Sequence, residues 1–131
     1  MSGLYVDSSA LLKRLFPEEE STMVRELLAD RIQQGVLVAS SELAWVEVAR
    51  ALRRAGIQGV DSAVGSACSG IARQRLDSQV LERACRIGPP SLRSLDAIHL
   101  AAAVILGATE MLTFDPRLAD AARSVGVKAI P

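Results

Sequence analysis

Four acidic residues stand where their side chains could do chemistry together: Asp7, Glu47, Asp96 and Asp115. Asp7 ends a short apolar run, Leu4-Tyr5-Val6, and Asp115 follows a second, Met111-Leu112-Thr113-Phe114. Asp96 opens an apolar segment patterned as a helix, and Glu47 lies inside an amphipathic one. Carboxylates that converge repel one another, and a divalent cation is the simplest way to keep them ionised. The pattern points to metal-dependent phosphoryl chemistry.

Each acid also has a plainer role open to it. Asp7 can cap a helix starting at Ser8. Asp115 precedes Pro116, a favourable cap followed by proline at the first helical position. Capping uses one carboxylate oxygen and leaves the other free, so both roles can coexist. Asp96 begins a helix with almost no other polar side chain, and an unpaired buried carboxylate is costly. Ser94 is the expected cap there, and either Arg93 or a metal could partner Asp96. Glu47 could pair with Arg50 at i+3. Its rival Glu42 lies five residues earlier, about 140° around a helix, and the dipole explains an acid in a first turn. Glu47 shares its face with Leu43, Ala44 and Ala51, small enough to approach a sheet, and is preferred.

His99, the single histidine, is read as a core residue bonded to a neighbouring loop. Asp120 is assigned to the surface, and Glu110 to the far end of its strand. Ser8 and Thr113 each neighbour a proposed ligand and could orient it. Trp45 is expected in the core or in a dimer contact.

The elements that would position these groups follow from periodicity and punctuation. Strands are expected over 3–6, 36–39, 71–76, 110–114 and 127–130, the last at an edge. Helices are expected over 8–16 (stopped by Pro17), 18–34, 42–55, 58–71, 78–87, 96–106 and 116–124. The run Glu18-Glu19-Glu20 would occupy a first helical turn, and Ser40-Ser41 would cap the following helix. This alternation implies a parallel sheet covered on both faces, where ligands gather beyond the carboxyl ends of the strands.

Composition narrows the class. The 131 residues suit one domain, 1–131, and with aromatics at only 3% its core must be Leu, Val, Ile and Ala. Fifteen basic residues balance fifteen acidic ones, so no global basic signature for nucleic acid exists. Cys68 and Cys85 lack metal-site spacing and are expected as a buried, reduced pair. The apolar stretch ending at Leu106 is too short to span a bilayer. A cytoplasmic protein without membrane association is expected.

The opening Leu4-Tyr5-Val6-Asp7-Ser8-Ser9-Ala10-Leu11 resembles the start of PIN-domain ribonucleases, in particular the VapC toxins of bacterial toxin–antitoxin pairs. The stretch from Ser41 to Leu52 is similar to their second acidic motif and places its acid at Glu47. Leu92-Arg93-Ser94-Leu95-Asp96-Ala97-Ile98-His99 resembles the third motif, and Leu112-Thr113-Phe114-Asp115-Pro116-Arg117 the fourth. The resemblance spans the whole chain, although 56–76 carries no distinctive motif. It implies an α/β/α sandwich with a five-stranded parallel sheet. It also implies an endoribonuclease dependent on Mg²⁺ or Mn²⁺, a homodimer, and inhibition by a cognate antitoxin.

On that reading Asp7, Glu47 and Asp96 are inner metal ligands, with Asp115 completing or orienting the site. Lys13, Arg14, Arg50 and Arg93 are candidates to hold RNA phosphates, against ordinary roles in ion pairs and solvated helix faces. An aspartyl-nucleophile phosphatase is disfavoured, because residue 9 is serine where a second aspartate is wanted. The remaining competitor is a non-catalytic PIN-like module that binds RNA or protein.

Overall fold

In the computed structural model, which describes residues 3–131, the chain opens with β1 (Gly3–Val6), buried at every position. A central strand needs apolar residues pointing both ways. Leu4 and Val6 enter one core, with Val38 and Leu112, while Tyr5 enters the other, with Met111. This is the two-residue alternation of a pleated strand.

The remaining elements are α1 (Ser8–Leu12), α2 (Ser21–Gln33), β2 (Leu37–Ser41), α3 (Glu42–Arg54), α4 (Val60–Ala67) and β3 (Ala72–Gln74). They are followed by α5 (Ser78–Ala84), α6 (Ser94–Leu106), β4 (Glu110–Leu112), α7 (Pro116–Ser124) and β5 (Lys128–Ile130). All five strands are parallel, in the order β3-β2-β1-β4-β5. Helices α1 to α4 supply one core and α5 to α7 the other, so the expected three-layer α/β/α architecture is present. The chain moves outward from β1 to β2 and β3, then returns to pair β4 on the other side of β1. The strand order therefore reverses between β1 and β4, which opens a crevice at their carboxyl ends.

Local chemistry sets several boundaries differently from the sequence expectations. Helix α1 stops at Leu12, and Lys13, Arg14 and Leu15 instead donate to carbonyls three residues back. Pro17 disfavours helical geometry at the residue before it. Helix α2 starts only at Ser21, so Glu18 to Glu20 precede it. Their partner is not a helix dipole but Lys13, whose Nζ lies 2.6 Å from Glu18 and 3.2 Å from Glu20. Strands β3 and β4 have three residues each, and helices α4 and α5 are shorter than their patterns.

Ser94 does not cap α6, because Arg93 occupies that position. At the other end Gly107, at φ +81°, closes α6 in the left-handed region. The cysteines are not a buried pair, since Cys68 is buried and Cys85 exposed. Among the described residues no helix is long and apolar enough to cross a membrane.

Candidate functional site

Asp7 leaves β1 in extended geometry and lies at the N-cap of α1, so strand and helix meet at its backbone. Its N–H donates to the Leu112 carbonyl at 3.2 Å, extending the β1–β4 pairing by one step. The carboxylate is only 4% exposed and is held by three donors. Oδ1 accepts from Ala10 N at 3.1 Å and from Ser9 Oγ at 2.7 Å. Oδ2 accepts from Thr113 Oγ1 at 2.6 Å. Burial pushes the Asp7 carboxyl upward, and the Thr113 and Ser9 hydroxyls pull it back.

The hydroxyl reaching Asp7 from α1 is thus that of Ser9, a correction to the expectation placed on Ser8. Ser9 Oγ also accepts from Phe114 N at 3.0 Å, and Thr113 Oγ1 from Asp115 N at 3.1 Å. Two hydroxyls therefore stitch the ends of β1 and β4 together across the crevice.

Asp115 caps α7 through one oxygen, Oδ1, which accepts from Arg117 N at 2.9 Å and Leu118 N at 3.5 Å. Asp96 lies in the first turn of α6 and is half-buried. Its carboxyl is pushed up first by burial, then by the charge of Asp115, and further by Asp7 and Glu47. Asp96 thus lies within electrostatic reach of the other three acids. None of Asp7, Asp96 or Asp115 forms an ion pair with Lys or Arg among the described residues. The ion pairs present lie elsewhere, such as Arg31–Glu110 at 3.3 Å and Arg123–Asp120 at 3.0 Å.

Glu47 reaches the same region from the middle of α3, beside the buried stripe Ala44, Val48 and Leu52. Its partner is not Arg50. Oε1 lies 2.5 Å from His99 Nε2 on α6. His99 is 1% exposed, and its Nδ1 lies 2.7 Å from Tyr5 Oη. The phenol in turn lies 3.0 Å from Ser41 Oγ and accepts from Ser41 N at 3.3 Å. Burial pushes the Tyr5 hydroxyl up to about 12.

His99 is therefore bonded to a strand and a helix rather than to a loop. Sequence reasoning undervalued it, although its place three residues after Asp96 puts both on one helix face. Glu42 lies outside the site, accepting from Leu76 N at 3.0 Å and pairing with Arg73 at 3.6 Å.

The basic candidates separate into two groups. Lys13 is engaged with Glu18 and Glu20, and Arg14 Nη1 donates to the carbonyls of Ala67 and Ser69, both at 2.8 Å. Both are thus engaged within the fold. Arg93 and Arg50 are exposed. Arg93 lines a cleft of about 880 Å³ with Pro89, Ser91, Asp120 and Arg117, an arginine the sequence reading passed over. Its signal was its place two residues after Asp115. Arg50 lines a separate groove with Glu47, Arg54, Val46 and Leu95. Trp45 packs against the core with the Arg73 guanidinium 5.2 Å above its ring.

Fold and site define a doubly wound α/β protein whose unneutralised acids gather where the strand order reverses. The PIN domain family model matches residues 4–124. Ribonuclease VapC47 of Mycobacterium tuberculosis (strain CDC 1551 / Oshkosh) is 40% identical over 125 residues, covering 94% of this chain and 92% of that protein. The chain belongs to the PIN-domain family and, within it, to the VapC ribonucleases.

Among solved structures, the fold is similar to Mycobacterium tuberculosis VapC20, described as a sarcin-ricin loop cleaving toxin. That match has a TM-score of 0.69 at 20% identity and covers 91% of this chain and 95% of that one. A toxin–antitoxin complex from Klebsiella pneumoniae matches with a TM-score of 0.68 at 18% identity, covering 99% and 97%.

Proposed function

We propose that RNA is cut in the crevice bounded by Asp7, Glu47, Asp96 and Asp115, with a divalent cation held among them. The chain is an endoribonuclease of the VapC toxin type, and the four acids supply its hydrolytic centre. The observation carrying this reading is that Asp96 feels the charge of Asp115, Asp7 and Glu47 while, among the described residues, no Lys or Arg is paired to Asp7, Asp96 or Asp115. Charge of one sign accumulated at a buried edge calls for a cation.

The donor set fits a hard ion, because every candidate ligand atom is a carboxylate oxygen. No group of three or more such side chains among the described residues is already close enough to cage an ion. Mg²⁺, which keeps several of its waters, suits so open an arrangement, and Mn²⁺ could replace it. Asp7, Glu47 and Asp96 would hold it, with Asp115 completing or orienting the set. When bound, the cation supplies Lewis-acid stabilisation of the phosphate and a more acidic water.

The protein's own contribution is rigidity and placement. Thr113 and Ser9 fix both Asp7 oxygens, so the carboxylate needs little reorganisation when charge arrives. Arg93 and Arg117 flank the neighbouring cleft and would hold RNA phosphates on either side of the scissile one. Arg50 would do the same beside Glu47.

An antitoxin partner is supported by likeness to the Klebsiella pneumoniae toxin–antitoxin complex. The groove beside Glu47, lined by the exposed Val46 and Leu95, offers an apolar seat leading to the acids. A homodimer in the cytoplasm completes the reading.

The deciding experiment is cleavage of total RNA with Mg²⁺ or Mn²⁺, with chelator, and with the Asp96→Asn variant. Cleavage leaving 5′-phosphate and 3′-hydroxyl ends, lost in the last two conditions, is expected. RNA bound but uncut with either ion would overturn the enzyme in favour of a binding module. Light scattering of the purified chain tests the dimer.

A further inference from the structure

Glu47 approaches the other acids from a helix, with its carboxylate held by the His99 ring. It projects from a helix on the opposite core layer from Asp96, and no backbone N–H caps it. A flexible three-torsion side chain at a half-buried position would sample several rotamers. One contact prevents this, the 2.5 Å bond from Oε1 to His99 Nε2.

Because an ionised carboxylate only accepts, Nε2 must carry a hydrogen. The other ring nitrogen is equally buried and also needs a partner. Tyr5 Oη meets it at 2.7 Å. Two groups of Ser41 approach the same phenol oxygen, its N–H at 3.3 Å and its hydroxyl at 3.0 Å. The phenol accepts from the Ser41 N–H and donates to Ser41 Oγ, so its oxygen stays open toward Nδ1.

Ser41 carries a second sign of this arrangement. It occupies the N-cap position of α3 yet makes no side-chain capping bond. A serine there ordinarily caps. Its hydroxyl is turned to Tyr5 instead, giving up a favourable helix contact to complete the chain Ser41–Tyr5–His99–Glu47. The chain links β2, β1, α6 and α3.

We infer that His99 is a positioning residue: held by Tyr5 on its Nδ1 side, it donates from Nε2 to fix Oε1 of Glu47 and leaves Oε2 to face the cation. The inference rests on the metal-dependent reading above and deepens it. His99 touches neither the cation nor RNA in this role. It acts through Glu47, as outer partners of metal ligands do.

Mn²⁺ affinity of the whole chain, read by electron paramagnetic resonance without RNA, provides the test. His99→Leu should weaken Mn²⁺ binding by about 10-fold or more, and excess Mn²⁺ should restore much of the cleavage rate. His99→Gln keeps an amide donor toward Glu47 and should recover most of the affinity, which a purely packing role would not produce. Tyr5→Phe keeps the ring but removes the hydroxyl facing Nδ1. Nitrogen NMR should show hydrogen on Nε2 of His99 in both proteins, with the Nδ1 resonance shifted in the variant.

Wild-type Mn²⁺ affinity in His99→Leu, or equal loss in the leucine and glutamine variants, overturns the inference while leaving metal dependence standing. Should His99→Leu fail to fold, the glutamine variant and the NMR comparison decide alone. A wild-type spectrum with no hydrogen on Nε2 is also fatal. If the wild type retains no Mn²⁺ at all, the metal reading falls and this inference falls with it.

Discussion

Asp7 and Asp96 are the same residue type at the same crevice, both raised by burial, yet they are held in opposite ways. Asp7 sits at a strand end with three donors on its two oxygens. Asp96 sits on a helix rim, raised after burial by Asp115 and, more weakly, by Asp7 and Glu47, with His99 pulling the other way. One carboxylate is preorganised by the fold, and the other waits for a counter-charge. A site built this way combines a fixed anchor with a ligand free to adjust, which suits an ion that retains water and admits a phosphate. The paired hydroxyls of Ser9 and Thr113 explain why the anchor falls between β1 and β4, where the crevice opens.

The comparison breaks most visibly on activity. Asp7→Asn and Asp96→Asn should each lower RNA cleavage by about 10²–10³-fold, since on the proposed mechanism each removes charge that would hold the cation. Circular dichroism should show both variants folded. Retained cleavage in either would remove that acid from the site.

Thr113 separates anchor from rim more sharply. Thr113→Ala leaves a buried carboxylate oxygen without its donor and should cost about 1–3 kcal/mol of stability, with cleavage down about 10–100-fold. Thr113→Ser keeps the hydroxyl and should stay near wild type in denaturant titration. Asp96 has no such supporting hydroxyl among the described residues, so no equivalent substitution exists on the rim.

Asp115 tests capping against chemistry in one position. Asp115→Ala should lose about 1 kcal/mol of stability through the missing cap, while Asp115→Asn, a good cap, should keep it. Both should impair cleavage if the free oxygen serves the site. Equal cleavage by the asparagine variant and wild type would reduce Asp115 to a helix cap.

The gentlest effect is on pH dependence without metal. For a carboxyl raised in the folded state, the folded protein keeps a proton that the unfolded chain has lost. Stability then falls as pH rises from the ordinary aspartate value of 3.8 through the raised one, and levels off above it. Asp7→Asn should flatten that decline by removing one contributor, as thermal melts at stepped pH in chelator would show. A steeper decline in the variant would contradict the burial of Asp7.

Much of this was legible because short-range rules apply to it. The alternation of apolar runs with helical periods gave the parallel α/β sandwich, and Asp115-Pro116 announced α7 with its boundaries intact. Where long-range contacts set an end, reading failed. The Glu18 to Glu20 run looked like a helical first turn, but Lys13 and Pro17 hold it outside α2. Ser8 looked like the neighbour of Asp7, but helix geometry turns Ser9 back onto the carboxylate.

Sequence alone determined which residues could bear charge, which segments would be strands, and that Asp7 and Asp115 would end two of them. Only the tertiary structure decided what each acid touches. His99 and Tyr5 are 94 positions apart and His99 and Glu47 are 52 apart, separations at which no local periodicity carries information. Their meeting depends on strand order and on which face of each helix packs inward. Those are properties of the assembled core, settled when both apolar layers close on the sheet.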